Sequence, residues 1–289
     1  MRLSPLTLLV SLLILCITND ESEAINDVSY ADNYFTTYGE DHLIQLDQGK
    51  EIQLTMDLAS GTGFMSKRGY GSGYFQMKIK IPKSQSPGVL PTFYLTSLCK
   101  ENNCTGHDEL DFEFIGTDGP PFHLQTNIYS DDNGGREQRT LLWFDPSQDF
   151  HQYGILWNKY QIVFFVDNVP VRVYKNLTEY GGRYPSKEMF VTGSIWEGMW
   201  ASGGKPVDWS KAPFEAHYRE FDIYGCEYGG DHDCSTQSEM FWWNTREYWF
   251  LSPKQQSLYQ NAKKKYVYDD YCVNRGNNFT ECQPQFINH

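Results

Sequence analysis

The chain has 289 residues, with 37 Asp or Glu against 24 Lys or Arg, which gives a formal net charge of −13 at pH 7. This acidic balance disfavours nucleic acid as a partner, because nucleic-acid binding needs clustered cations. After residue 24, no apolar run approaches the roughly 20 residues that a membrane-spanning helix needs. Aromatic and β-branched runs broken by glycines indicate one large β domain.

Residues 1–24 have the features of a secretory signal peptide. Arg2 precedes an apolar run from Leu6 to Ile17, and the sequence Ser22-Glu23-Ala24 has the small residues that suit cleavage. We therefore expect a secreted, extracellular protein that begins at about residue 25.

Short alternating or β-rich runs, separated by turn residues, follow along the chain. We predict strands from Ile52 to Leu58, Tyr74 to Ile81, Thr92 to Leu98, Glu109 to Ile115, His123 to Tyr129, Gln138 to Phe144, Tyr153 to Trp157, Gln161 to Val166 and Val169 to Tyr174. Asp167 and Asn168 separate the last two runs, as the centre of a hairpin turn would. Many short strands without helical patterns between them indicate an all-β fold, and we interpret residues 25–220 as a jelly-roll β-sandwich.

Three carboxylates alternate with three large apolar side chains in one of these predicted strands. The run is Glu109, Leu110, Asp111, Phe112, Glu113 and Phe114. Because successive side chains of a strand point to opposite faces, the acids share one face and the apolar residues share the other. Neighbouring carboxylates whose pKa values are forced apart are typical of acid/base sites, so the row indicates catalysis.

The cysteines and the glycosylation sequons both fit a secreted protein. Six of the seven cysteines follow the predicted signal peptide, and although six cysteines allow 15 pairings, local pairs that close short loops are the natural choice. These pairs are Cys99 with Cys104, Cys226 with Cys234 and Cys272 with Cys282. A metal site is the weaker interpretation, because the Cys/His spacing of common zinc sites is missing. Candidate glycosylation sites are Asn103, Asn176 and Asn278, each in an Asn-x-Thr sequence.

Residues 221–289 differ in composition and pattern from the predicted sandwich, because they contain two cysteine pairs, aromatic clusters and one helical pattern. The helix is indicated by Ser252 as its N-cap, by Pro253 at its first position and by Gln255 at the capping-box position. We expect a disulfide-stapled C-terminal extension that packs on the sandwich.

At the acidic row the sequence resembles the xyloglucan endotransglucosylase/hydrolases of plant cell walls, a branch of glycoside hydrolase family 16. Their signature, His-Asp-Glu-x-Asp-Phe-Glu-Phe-x-Gly, is matched at residues 107–116. The resemblance extends through Leu124-Gln-Thr-Asn127 and Arg136-Glu-Gln-Arg139 to Asp208-Trp-Ser-Lys-Ala-Pro-Phe214. It implies that Glu109 is the nucleophile of a retaining glycosidase, that Glu113 is the general acid/base and that Asp111 orients the nucleophile.

The resemblance also implies a sugar-binding cleft. The family's aromatic platform matches Trp196 and Trp200, and other cleft positions match Tyr94, Gln125, Asn127 and Arg139. We group His107 with them but expect it to act as a hydrogen-bonded support, because a two-carboxylate mechanism leaves it no proton to carry. Trp143, Trp157 and Trp209 are interpreted as packing residues.

The resulting hypothesis is a secreted cell-wall (apoplastic) transglucosylase that cleaves a β-1,4-glucan backbone, xyloglucan first, and transfers it to another chain end. We expect a monomer with polysaccharide donor and acceptor as partners, and no cofactor, metal, nucleic acid or membrane. One alternative is a transglucosylase or hydrolase that prefers cellulose or mixed-linkage glucan, and another is a non-catalytic jelly-roll lectin. The loop between Trp196 and Trp209 is shorter than the family pattern, which disfavours strongly hydrolytic members.

Overall fold

A computed structural model describes residues 28–98, 106–234, 240–275 and 279–287. The predicted signal peptide, Cys99, Asn103, Cys104 and Asn278 lie outside the described residues. Within the four described ranges, no helix is both long enough and apolar enough to cross a membrane.

The described residues are predominantly β-structure. The strands are Tyr34–Tyr38 (β1), Leu43–Leu46 (β2), Glu51–Met56 (β3), Thr62–Lys80 (β4), Val89–Thr96 (β5), Glu109–Ile115 (β6), His123–Tyr129 (β7), Gln138–Leu141 (β8), His151–Trp157 (β9), Gln161–Val166 (β10), Val169–Lys175 (β11), Met189–Glu197 (β12), Phe214–Arg219 (β13), Ile223–Glu227 (β14) and Val267–Asp270 (β15). The α-helices are Tyr30–Asn33 (α1), Pro253–Tyr266 (α2), Tyr271–Asn274 (α3) and Pro284–Ile287 (α4).

The long strand β4 belongs to two antiparallel sheets. Residues 62–70 pair with β1 and β12, in a front sheet ordered β1-β4-β12-β5-β6-β7-β8-β15. Residues 73–80 pair with β9 and β13, in a back sheet that also contains β2, β3, β10 and β11. All of these pairings are antiparallel, so the predicted jelly-roll sandwich is confirmed.

The core lies between the two sheets. The ring of Phe112 on β6 meets Phe164 on β10 edge-on at a centroid distance of 5.1 Å, and it also meets Tyr153 on β9. Phe64 on β4 and Tyr218 on β13 make a similar contact at 5.5 Å. The apolar side of β6 is therefore buried, and its other side becomes the outer face of the front sheet.

The predicted strands are found, with different ends in several cases. The bounds of β6, β7 and β10 agree with the prediction, whereas β4 begins at Thr62 rather than at Tyr74. Asp167 and Asn168 have φ values of 47° and 62°, as a two-residue hairpin turn requires. Six strands of the described residues were not predicted: β1, β2, β12, β13, β14 and β15. In β12, Gly193 interrupts the apolar pattern. A Cβ at Gly193 would lie 2.5 Å from the Phe64 ring, so this interruption is a packing requirement.

The C-terminal extension is more deeply integrated than the boundary at residue 220 suggests. Its strand β14 pairs with β4, and its strand β15 becomes the outermost strand of the front sheet beside β8. The disulfides Cys226–Cys234 and Cys272–Cys282 are confirmed. The extension therefore contributes strands to the sandwich as well as packing on it.

The side-chain amide of Asn176 is already engaged in the fold. Its Nδ2 donates to the carbonyl oxygen of Lys159 at 2.8 Å, and its Oδ1 accepts from Thr178. Glycosylation of Asn176 stays a prediction, and a glycan there would replace one donor of this local network.

The predicted start of α2 is confirmed and supplies a stability test. Gln255 N donates to Ser252 Oγ at 3.3 Å, and Ser252 N donates to Gln255 Oε1 at 2.9 Å. Ser252→Ala should lower the free energy of unfolding by about 1 kcal/mol, because the backbone N–H of Gln255 loses its acceptor. Urea unfolding should show no such loss for Ser257→Ala, a mid-helix exposed serine; equal losses would refute the capping explanation.

Candidate active site

The acidic row lies on the outer face of the front sheet. Leu110, Phe112 and Phe114 are at most 1% exposed in the core, so the alternating acids of β6 point the other way. Asp111 is 6% exposed and Glu113 is 9% exposed, whereas Glu109 is more accessible. Two of the three acids are thus held in a poorly hydrated position.

Strand register brings polar side chains from neighbouring strands beside these acids. Glu113 is paired with Thr92 on β5 and with Gln125 on β7. Asp111 is paired with Tyr94 on β5 and with Asn127 on β7. Because directly paired residues of a sheet share a face, one continuous polar surface crosses the front sheet.

This surface forms the floor of a cleft with a volume of about 410 Å³. The lining residues are Thr92, Tyr94, Glu109, Asp111, Phe112, Glu113, Asn127, Tyr129, Glu137, Ser194, Trp196 and Trp200. All three acids of β6 are among them, together with Tyr94, Asn127 and both tryptophans of the predicted platform. The residues predicted from the sequence to act on a sugar therefore lie in one cleft.

Glu113 is positioned by a hydrogen bond to its Oε2. Gln125 Nε2 donates this bond over 2.5 Å, and Gln125 is fully buried. Burial raises the pKa of Glu113 to about 7; the Gln125 bond and the Arg139 charge oppose this, and the charges of Glu109 and Glu137 add to it. Glu113 is therefore suited to carry a proton near neutral pH.

Asp111 lies between the two glutamates on the same face of β6. Burial raises its pKa well above the usual range, and the charges of Glu109 and Glu113 and a hydrogen bond with Glu109 add to that effect. The charge of Arg172 acts in the opposite direction. Asp111 therefore tends to keep its proton, which it can donate in its hydrogen bond with Glu109.

The polar cleft residues Tyr94 and Asn127 can donate hydrogen bonds to a ligand. Burial raises the pKa of Tyr94, so its phenol keeps its proton. Asn127 Oδ1 accepts from the backbone N–H groups of Ile128 and Arg136, which leaves the amide nitrogen as the donor of this side chain.

Two exposed tryptophans flank the acids. Trp196, at the end of β12, is 37% exposed, and Trp200 in the following turn is 54% exposed. Exposed aromatic rings beside polar groups are typical of ligand sites that receive one flat apolar face and one hydrogen-bonding edge.

His107 lies beside the cleft and supports one of its walls. Its ring stacks on Tyr129 at a centroid distance of 4.9 Å, and its Nδ1 contacts Asp132 Oδ1. Its backbone N–H donates to the same Asp132 oxygen at 2.8 Å. This position agrees with the predicted support role, exerted through Tyr129.

Gln125 and Arg139 differ from their predicted place as direct sugar contacts. Gln125 is 0% exposed, and its amide already bonds Glu113 and Arg139. Arg139 Nε donates to Gln125 Oε1 at 2.8 Å, so it is directed to the far side of Gln125. Gln125 is withdrawn from the cleft by burial, whereas Arg139, whose side chain is 30% exposed, lies behind Gln125 and does not line the cleft.

Four cleft residues were not identified from the sequence. Thr92 Oγ1 and Ser194 Oγ are 2.7 Å apart on neighbouring strands, and Tyr129 is paired with Glu109. Glu137 Oε2 lies 2.6 Å from Arg275 Nη1, which reaches the cleft from the C-terminal extension. Thr92, Tyr129 and Ser194 could have been identified only by knowing how β12, β5, β6 and β7 pair with one another, and β12 was not predicted from the sequence.

In the described part of the chain, no group of three His, Cys, Asp or Glu side chains could hold a metal ion.

Comparison with known proteins gives a consistent family. The model of glycosyl hydrolases family 16 matches residues 30–211. The chain is 48% identical over 274 residues to xyloglucan endotransglucosylase/hydrolase protein 2 of Arabidopsis thaliana, covering 92% of each protein. It is 47% identical to xyloglucan endotransglucosylase/hydrolase protein 3 of the same plant, over 86% of this chain and 85% of the other.

Solved structures share the fold at low sequence identity. The β-glucanase of Bacillus licheniformis is 19% identical with a TM-score of 0.56, over 68% of this chain and 92% of its own. The Crh5 transglycosylase is 21% identical with a TM-score of 0.52, over 70% of this chain and 85% of its own. These similarities support the jelly-roll fold.

The raised pKa of Glu113 has a consequence for stability. Its folded pKa of about 7 lies above its ordinary 4.5, so its destabilising effect is absent below pH 4.5 and grows as the pH rises towards 7. Glu113→Gln should therefore raise the free energy of unfolding at pH 8, by up to about 3 kcal/mol, and much less at pH 4.5. Chemical unfolding at both pH values checks this, with exposed Glu215→Gln as the control; a gain independent of pH would contradict it.

Proposed function

The chain belongs to glycosyl hydrolases family 16, among the xyloglucan endotransglucosylase/hydrolases, and from this membership we propose that it is a retaining endo-transglucosylase. It cleaves the β-1,4-glucan backbone of xyloglucan and transfers the new end to another glucan chain. The observation that carries the proposal is the placement of Glu109, Asp111 and Glu113 in one cleft with Trp196 and Trp200.

In the first step, a carboxylate oxygen of Glu109 attacks the anomeric carbon of the glucosyl unit. Glu113 gives its proton to the departing glycosidic oxygen as that bond breaks, so the leaving chain departs as an alcohol. The product is a glycosyl ester on Glu109. A pKa of about 7 supports this role for Glu113, because the proton is available at neutral and lower pH.

In the second step, the now ionised Glu113 accepts a proton from a hydroxyl of the acceptor glucan. That oxygen attacks the anomeric carbon, and the bond to Glu109 breaks, which restores both glutamates. Asp111 shares a hydrogen bond with Glu109 and so fixes the attacking carboxylate. Two inversions at one carbon retain the β configuration.

Transfer rather than hydrolysis depends on how well the acceptor is held. Effective molarities of well-oriented groups reach on the order of 10⁵ M, which lets a bound sugar hydroxyl compete with water. Trp196 and Trp200 supply apolar platforms, and Tyr94 and Asn127 supply donors for sugar hydroxyls.

The proposed place of action is the plant cell wall. The predicted signal peptide, the two disulfides and the sequons Asn103, Asn176 and Asn278 support secretion and glycosylation. The protein is proposed to act as a monomer on polysaccharides. The named relatives favour xyloglucan over other donors, and the three acids in one cleft favour an enzyme over a lectin.

The direct test offers xyloglucan, cellulose and mixed-linkage glucan separately with a labelled xyloglucan oligosaccharide, while new reducing ends are counted. With xyloglucan we expect label in polymer and few new ends. Glu109→Ala should reduce label incorporation by at least about a thousand-fold, because no glycosyl ester can form. Abundant new ends without incorporation would reject transfer, equal activity of Glu109→Ala would reject Glu109 as the nucleophile, and binding without turnover by the parent protein would reject the enzyme assignment.

The aromatic platform gives a separate prediction. Trp196→Ala should raise the KM for xyloglucan about ten-fold, a loss of about 1.4 kcal/mol in binding, because one sugar face loses its apolar partner. Trp242→Ala is the matched control, since Trp242 is 39% exposed but packs on Tyr74 and Tyr248 outside the cleft. A similar KM for both variants and the parent enzyme would show that Trp196 is not a sugar platform.

A further inference from the structure

A row of polar side chains connects the C-terminal extension to Glu113 across four strands. Glu113 on β6 is paired with Gln125 on β7, Gln125 with Arg139 on β8, and Arg139 with Asp269 on β15. Their side chains follow the same order. Gln125 Nε2 to Glu113 Oε2 is 2.5 Å, Arg139 Nε to Gln125 Oε1 is 2.8 Å, and Arg139 Nε to Asp269 Oδ2 is 3.9 Å.

The hydrogen bonds in this row have a fixed direction. A guanidinium group only donates, so the atom of Gln125 that faces Arg139 must be the amide oxygen. The amide NH₂ then faces Glu113, and Glu113 Oε2 accepts its hydrogen bond. Without the cation, the amide could rotate by half a turn and present its oxygen to Glu113.

We propose that Arg139, held by β15, is a positioning residue that fixes the Gln125 amide so that the catalytic proton of Glu113 resides on Oε1. In a protonated carboxyl group the carbonyl oxygen is the better acceptor. An N–H donor aimed at Oε2 therefore makes Oε2 the carbonyl oxygen and leaves Oε1 to carry the proton. This inference rests on the proposed acid/base role of Glu113.

Strand β15 places two groups beside Arg139. The carboxylate of Asp269 lies 3.9 Å from Arg139 Nε, and the hydroxyl group of Tyr268 is close enough for the Arg139 charge to oppose the burial that raises the pKa of that phenol. The same hydroxyl lies 2.5 Å from His123 Nδ1. The C-terminal extension thus acts on the proton of Glu113 from a distance, without contacting the cleaved linkage.

Other charges near Glu113 must be separated from this orientation effect. The titratable groups on the cleft side are Tyr94, Glu109, Asp111, Tyr129, Glu137 and Arg139, whereas Arg172 acts on Asp111 from the core side, where it bonds Thr126. Arg139 favours the ionised form of Glu113 by its charge alone, whatever the orientation of Gln125. A single substitution therefore mixes the two effects.

A double-mutant cycle distinguishes them. The measured quantity is the alkaline limb of kcat/KM, which reports the protonated acid of the free enzyme. Arg139→Met should shift this limb to higher pH by about one unit. A rotated Gln125 amide would accept a hydrogen bond from protonated Glu113 and so stabilise its protonated form. In the Gln125→Met background the same change should move the limb by much less, since no amide remains to be oriented.

Three further variants complete the test. Arg139→Lys keeps a donor-only cation and should leave the limb near its original pH, whereas Asp269→Asn should shift it in the direction of Arg139→Met by a smaller amount. Arg68→Met removes an exposed arginine that pairs with Glu227 on another strand, and it should leave the limb unchanged. If Arg139→Met does not fold, Arg139→Lys and Asp269→Asn still carry the comparison.

Equal shifts by Arg139→Met in both backgrounds would overturn the inference, because Arg139 would then act by charge alone. The same titration can be followed in folded, inactive protein by the ¹³C resonance of the Glu113 carboxyl group. This keeps the two proposals separate. An inactive parent enzyme refutes the proposed function, whereas an active enzyme with additive shifts refutes only the positioning role.

Discussion

The alternation of side chains along β6 is the constraint on which the rest of the site depends. Phe112 is fixed in the core by edge-on contacts with Phe164 and Tyr153, and this contact sets which face of the strand is buried. Once that face is set, Glu109, Asp111 and Glu113 have to lie together on the outer face. A register slip of one residue would bury the acids and expose the rings, so packing and chemistry are specified by the same seven residues.

Three acids on one face of a strand repel each other when ionised, and this repulsion helps to raise the pKa values of Asp111 and Glu113. Burial and mutual repulsion keep protons on Asp111 and Glu113 at pH values where isolated carboxyl groups would be ionised. Hydrogen bonding from Gln125 and the charges of Arg139 and Arg172 limit that effect. The residues of the surrounding strands therefore determine which carboxyl groups of the cleft are protonated. One of these strands is β15 of the C-terminal extension, which lies beside Arg139.

Local patterns allowed the strand β6, the Asp167–Asn168 hairpin and the capped helix α2 to be predicted from the sequence, because each depends on residues close in the chain. The functions of Gln125 and Arg139 could not be deduced in this way. Their positions depend on the register of β7, β8 and β15, which are joined only in the folded sheet. Thr92 and Ser194 were missed for the same reason, since their contact joins residues 102 positions apart.

In the proposed mechanism, a glutamate of this row becomes covalently linked to the sugar. Treating the enzyme with a xyloglucan oligosaccharide fluoride that carries fluorine at C2 slows breakdown of the glycosyl ester, and mass spectrometry then maps the labelled peptide. One sugar adduct is expected, on Glu109. An adduct on Asp111 or Glu113, or no adduct in a preparation that transfers xyloglucan, would refute the role of Glu109 as nucleophile.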